Sequence, residues 1–184
     1  MNIFVLSLDP AKAAEYHCDK HVNKMILEAA QMLSTAHRVL DGEQYVELSK
    51  AGRRIKRWKL PGYREGWLYK ASHVNHPCNI WLRESAQNYI WLYKHFEALY
   101  HEKVYRTGVG HKSWEVLHEV LKLVPARMPT AKATPFAQAM PDEYKNKHVV
   151  TAYRDYYLCE KTELLQYTRR EQPFWVTEIF GELV

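Results

Sequence analysis

The sequence predicts a single domain that is all-α, or nearly so, and three observations predict it. Two long stretches, residues 16–40 and 78–104, contain no Gly or Pro and carry apolar residues at helical spacing. Their ends are punctuated in the way helix ends are, by Asp9-Pro10, Asp41-Gly42, and the pair Gly108 and Gly110. Beyond the opening residues, no segment reads as a strand. At 184 residues the chain has the length of one domain and enough material to bury a core.

Taken in order, Met1–Leu8 is a short apolar run, a brief strand or a buried extended lead-in. Asp9 then reads as an N-cap with Pro10 at the first helical position. Helix continues to about Leu40, in one or two pieces, and residues 43–50 suit one further helical turn. Gly52, Pro61, Gly62 and Gly66 break the next segment into loop, so residues 43–70 read as a basic and aromatic loop insertion. Pro77 opens a helix running to about Val104. Another spans Ser113–Leu123, with Val116, Leu117, Val120 and Leu121 at helical spacing. Residues 125–145, holding Pro125, Pro129, Pro135 and Pro141, are irregular, and a loop of that length is usually functional. A last helix covers about Lys147–Tyr167, and Pro173-Phe174-Trp175 docks the tail.

Composition removes several classes of protein. No apolar run approaches the length of a membrane span, and the start lacks a signal peptide's basic residues and cleavage site. Three Cys, odd in number and far apart, argue against a disulfide framework. The expectation is therefore a cytoplasmic protein with no membrane partner. Charge is more telling once located. Residues 50–70 hold Lys50, Arg53, Arg54, Lys56, Arg57, Lys59, Arg64 and Lys70 against Glu65, an excess larger than the whole chain's net charge of +5. Trp58, Tyr63, Trp67 and Tyr69 are interleaved with these cations. Cations beside flat aromatic faces suit a phosphate backbone with exposed bases. Arg53, Arg54, Lys56, Arg57, Trp58 and Lys59 are thus the candidate DNA-binding residues. The alternative is a solvated loop whose aromatics tuck back into the core.

The first long helix carries the candidate chemistry. At 100° per residue, Val22, Met25, Ile26, Ala29, Leu33 and Ala36 form one apolar arc. His17, His21, Lys24, Glu28 and Gln31 fall in a narrow polar stripe elsewhere, and Asp19 projects into the edge of the arc. The plain reading is a solvated face with a Lys24–Glu28 pair, or Asp19 as an N-cap. The sharper one makes His17, Asp19, His21, Lys24 and Glu28 the acid, base and amine groups of a catalytic wall. His73, Asn75, His76, Arg83, Asn88 and His111 are candidates for a pocket receiving a base taken out of the stack. His17 with His21, and His73 and His76 with Cys78, invite a metal. The HExxH and paired C-x-x-C patterns are absent, so neither metal nor cofactor is expected. No phosphate-loop motif is present. A DNA-binding module without catalysis accounts for residues 50–70 but not for the wall.

The order of these features resembles the pyrimidine-dimer DNA glycosylases of the phage endonuclease V type. The likeness lies in Asn2-Ile3-Phe4-Val5-Leu6, the helix after Asp9-Pro10, and Leu27-Glu28-Ala29-Ala30-Gln31 leading to Val39-Leu40-Asp41-Gly42. It continues in Asn75-His76-Pro77, in Tyr89–Glu102 leading to Arg106 and His111, and in Pro173-Phe174-Trp175. Cys18–Met25 and Ser72–Cys78 are also similar to segments of uncharacterised phage proteins, which implies a host cytoplasm. The resemblance implies a compact helical fold in which an N-terminal amine attacks the sugar carbon, helped by a carboxylate on the first long helix. Here that carboxylate is Asp19 or Glu28. The chain departs from the family in having Asn at residue 2, a poor context for removing Met1, and in residues 43–70. These departures admit a second expectation, a phage transferase adding amino acids or polyamines to activated thymine methyl groups.

Overall fold

Helix α2 (Asp19–Asp41) is the axis of the molecule, and its sequence explains why. Val22, Met25, Ile26, Ala29, Leu33 and Ala36 are all buried, so the predicted arc is the buried face. That face packs mainly on α5 (Ala86–Thr107), and further on α6 (Lys112–Leu121) and α4 (Pro77–Leu82). The computed structural model describes residues 1–180. Among these it is mostly helical but not purely all-α, with one two-stranded antiparallel sheet.

Before α2, Asp9 caps α1 (Pro10–Glu15) by accepting from the Lys12 amide at 2.7 Å. The chain turns at Tyr16–Cys18 and restarts at Asp19, so the first helical region is two pieces. Residues 1–8 form no strand. Asn2–Leu6 are buried, with Ile3, Val5 and Leu6 wholly inside, and the chain then bends outward so that Leu8 is exposed. Phe4 adopts φ +35°, a conformation that costs a bulky side chain on the order of 1–3 kcal/mol.

The expected turn of helix at 43–50 and the loop after it are instead a hairpin. Strand β1 (Glu43–Leu48) pairs antiparallel with β2 (Arg54–Lys59), Tyr45 opposite Arg57 and Glu47 opposite Ile55. Gly42 ends α2 at a place where a Cβ would run into the Arg38 carbonyl. Gly52, at φ +72°, closes the turn. No period of two announces these strands: Tyr45 and Val46 are adjacent, and Ile55 and Trp58 stand three apart on opposite faces, so it is the pairing of the two segments that makes them strands. Buried Arg38 fastens the hairpin root and the one-turn helix α3 (Arg64–Trp67) after it. It donates to the carbonyls of Trp58, Glu65, Leu68 and Tyr69 and to the Glu65 carboxylate, all within 3.1 Å.

The helix expected from Pro77 to Val104 is also two. α4 stops at Leu82, and Ser85 caps a new helix by accepting from the Asn88 amide. Gly108, at φ +71°, ends α5 as expected. Residues 122–148 are irregular apart from a 3-10 turn at Asp142–Tyr144. The next helix, α7 (Val149–Glu160), stops short of Tyr167 and passes into a 3-10 turn at Thr162–Leu164. The tail forms α8 (Phe174–Phe180), with Trp175 and Val176 buried. One buried cluster draws residues from Ile3 through Val176. Among the described residues no helix is long and apolar enough to cross a membrane.

Candidate functional site

The expected stripe loses His17, which sits in the turn before α2, and the rest is divided by what packs against it. Lys24 is exposed and Glu28 half-buried, while His17 and His21 lie inside. The His17 Nδ1–H donates to the Ala13 carbonyl at 2.7 Å, and its ring lies 5.2 Å from that of His95. Burial, with His95 adding to it, pushes its pKa well below the ordinary value. His21 Nδ1 bonds the Tyr157 hydroxyl at 2.6 Å, and its ring stacks on Phe4 at 4.8 Å. Burial, then Lys24 and Lys161, lower its pKa to about 4. Both imidazoles are therefore neutral at pH 7. Their rings sit 6.4 Å apart with both Nδ1 atoms already engaged. Among the described residues no cluster of three or more His, Cys, Asp or Glu is arranged to hold a metal.

Glu28 lines a pocket of about 330 Å³ together with Met1, Asn2, Phe4, His21 and Lys24, and with Tyr156 and Lys161 from the C-terminal third. Its Oε2 accepts the Asn2 amide at 2.9 Å and lies 3.6 Å from the Met1 amine. Its Oε1 lies 3.5 Å from Lys24 Nζ. Asn2 fixes this end of the chain. Its side-chain amide donates to the Ala139 carbonyl at 2.8 Å, and its Oδ1 accepts from the amides of Ile3 and Phe4. The site is thus a carboxylate between two amines, with a neutral imidazole beside it.

Asp19 is not part of this pocket. It accepts from Arg106 at 2.9 Å and from the Thr168 hydroxyl at 2.7 Å, latching α2 to α5 and to the C-terminal segment. Arg106 also donates to Glu102 and to the carbonyls of Glu15 and His17, and Glu102 in turn holds Arg170. The residues expected to form a base pocket scatter. His73, Asn75 and His76 lie on the segment that runs back along α2, where the Ser72 amide donates to Thr35. His76 is close enough to the Met1 amine and Glu28 to feel both, although burial is the main cause of its lowered pKa. It also caps α4, accepting from the Cys78 amide. His73 holds φ +49°, and Asn75 is exposed. Arg83 supports this segment from behind, donating to the Val74 carbonyl at 2.8 Å. Asn88 is spent on the Trp81 carbonyl and on Thr134, and His111 caps α6 by accepting from the Ser113 amide. Neither Asn88 nor His111 lines the Glu28 pocket.

The hairpin divides the basic patch between its two faces. Arg54, Lys56 and Trp58 share one face with Gln44, Val46 and Leu48, while Arg57 and Lys59 share the other with Glu43, Tyr45 and Glu47. Arg57 is paired with Glu47 at 2.6 Å, and Arg64 with Asp41 at 2.6 Å. Lys50, Arg53 and Arg54 at the turn are exposed, as are Lys56 and Lys59 along β2. The aromatics do not all tuck away: Tyr63 and Trp67 are exposed, and Trp58 and Tyr69 half-buried. Glu28 and the hairpin root at Gly42 are 14 residues apart on or at the end of one helix, about 21 Å. That is a span of about six base-pair steps.

Sequence reasoning missed Phe4, Tyr156 and Lys161 as pocket residues, and Arg38 as the hairpin's anchor. Only Arg38 left a signal, a cation among apolar positions late in α2. No family model matches this chain, and no curated protein or solved structure matches it.

Proposed function

We propose that the protein acts on a nucleotide of DNA, with glycosylase and lyase chemistry at Glu28 and DNA held along α2 and the hairpin. The observation that carries this reading is the Glu28 carboxylate set between the Met1 amine and the Lys24 ammonium. An amine that has given its proton to Glu28 attacks C1′ of the sugar. The N–C1′ bond forms, the glycosidic bond breaks, and the base leaves with a proton returned to it by the site. Opening of the sugar ring then gives an imine, and loss of a C2′ proton breaks the strand. Glu28 is placed to take and return protons because both amines lie within 3.6 Å of its carboxylate oxygens. The resemblance to the endonuclease V type agrees with an amine and a carboxylate from these two parts of the chain.

Borohydride reduction on abasic or ultraviolet-damaged duplex DNA tests the proposal. A covalent adduct is expected, and peptide mapping of it identifies Met1 or Lys24 as the amine. Failure on every damaged duplex, with DNA binding intact, overturns glycosylase chemistry and turns the search to transfer onto thymine methyl groups. Binding that survives loss of Lys24 and Glu28, with no reaction on any DNA, marks a binding module.

A further inference from the structure

The hairpin is a two-stranded ribbon whose carboxylates all lie on one face. Glu43 and Glu47 share that face with Arg57 and Lys59, so its charges cancel. The opposite face holds Gln44, Val46, Leu48, Arg54, Lys56 and Trp58, two cations and no acid. It is also the more open face, for of these six only Trp58, at the root, is half-buried. Val46 and Leu48 keep 47% and 68% of their surface in water although both are apolar. The ribbon is fixed at both ends. Buried Arg38 donates to the Trp58 carbonyl at 2.9 Å at the root, and the Ser49 amide donates to the Arg53 carbonyl at 2.8 Å at the turn.

Six residues per strand, at about 3.3 Å each, make an arm about 20 Å long, the length of about six base-pair steps. A pair of strands, its backbones about 4.8 Å apart, enters the major groove, about 12 Å wide, but not the minor groove at about 6 Å. The major-groove edges of the bases also suit this face. Guanine and adenine edges there bond Arg, Lys and Gln, and thymine methyls offer apolar contact. We propose that the acid-free face of the hairpin lies in the major groove of duplex DNA. Gln44, Arg54 and Lys56 then meet base edges, Val46 and Leu48 meet thymine methyls, and Glu43 and Glu47 are turned away from the phosphates. The proposal deepens the DNA reading and rests on it, but it uses the hairpin and not the Glu28 pocket.

The test is protection from dimethyl sulfate on a mixed-sequence duplex bound by the full-length protein. The reagent methylates guanine N7 in the major groove and adenine N3 in the minor groove, so one experiment reads both. Wild type is expected to protect guanine N7 over about six base pairs and to leave adenine N3 open. Val46→Glu and Tyr45→Glu then make the same change of charge at neighbouring exposed positions on opposite faces. Val46→Glu should lose the protection and weaken binding about tenfold or more, because it sets a carboxylate against DNA. Tyr45→Glu should keep the protection and most of the affinity. Equal losses from the two variants overturn the assignment of the face, as does protection of adenine N3 in place of guanine N7. No loss from either takes the hairpin off DNA, and binding to anionic phospholipid vesicles with none to the duplex gives the face to a membrane surface instead. N7 protection without a borohydride adduct keeps the hairpin in the groove and removes the glycosylase. An adduct formed by Val46→Glu as readily as by wild type keeps the glycosylase and removes the hairpin from the groove.

Discussion

The Asn2 amide and the Glu28 carboxylate meet at 2.9 Å, joining the start of the chain to a helix 26 residues further on. The Asn2 side chain is held at both ends by backbone, so this contact is positioned from outside α2. Glu28→Gln keeps an acceptor for the Asn2 amide and should fold normally. Loss of the proton shuttle should lower adduct formation by about 10²- to 10⁴-fold. Wild-type trapping by Glu28→Gln would remove Glu28 from the chemistry.

Asp19→Asn should behave differently, as a latch variant. The amide still accepts from Arg106 or Thr168, so the expected cost is about 1 kcal/mol of stability, with turnover retained. Glu102→Gln keeps an acceptor but removes the buried charge that Arg106 and Arg170 share, and should cost more, about 1.5–3 kcal/mol. Urea unfolding measures both. A stable, inactive Asp19→Asn protein would return Asp19 to the active site.

Acid should destabilise the protein in two stages. Burial holds His21, His37 and His95 at pKa values of about 4, against 6.5 in an unfolded chain. As pH falls below 6.5 the unfolded state takes up protons that the folded state refuses. Stability, full above pH 7, should then fall by about 1.4 kcal/mol per pH unit for each such histidine. A further loss begins near pH 4.5. Burial raises the Glu102 carboxyl, but hydrogen bonds from Arg170 and Arg106 outweigh it and hold the group below its ordinary value. The stability this supplies is lost as pH falls through that lowered value. Unfolding midpoints that stay constant between pH 7 and pH 5 would contradict the neutral-histidine core.

On the hairpin, the two faces predict unequal effects. Arg54→Ala with Lys56→Ala should weaken DNA binding on all sequences and flatten the log–log salt dependence by up to about 1.8, two phosphates at about 0.9 each. Arg57→Ala with Lys59→Ala should flatten it less, because Glu47 already pairs Arg57 and Glu43 lies opposite Lys59. Salt titrations of both pairs decide the matter. Equal slopes would mean that DNA reads the hairpin from both sides, and unchanged slopes that its partner is not DNA.

Where the cause is local, the sequence was legible. Asp9-Pro10 and Gly108 mark helix ends because caps depend on a residue and its immediate neighbours. The arc from Val22 to Ala36 was legible because helical spacing alone gathers it on one face. The hairpin was hidden because its apolar residues, Tyr45 next to Val46 and Ile55 three from Trp58, do not alternate, and the break at Arg83–Ser85 because neither Gly nor Pro marks it.

The candidate site divides along the same line. By itself the sequence determined that His21, Lys24 and Glu28 share a stripe of α2. Only the tertiary structure decided that His17 is sealed in the core and that Asp19 is taken by Arg106 and Thr168. It also decided that Lys24 and Glu28 open into a pocket with Met1, Tyr156 and Lys161. Helical periodicity fixes which side chains point together. What covers them comes from Met1–Phe4, from His95 and from Tyr156, Tyr157 and Lys161, the last three more than a hundred residues away, and no local spacing can encode that.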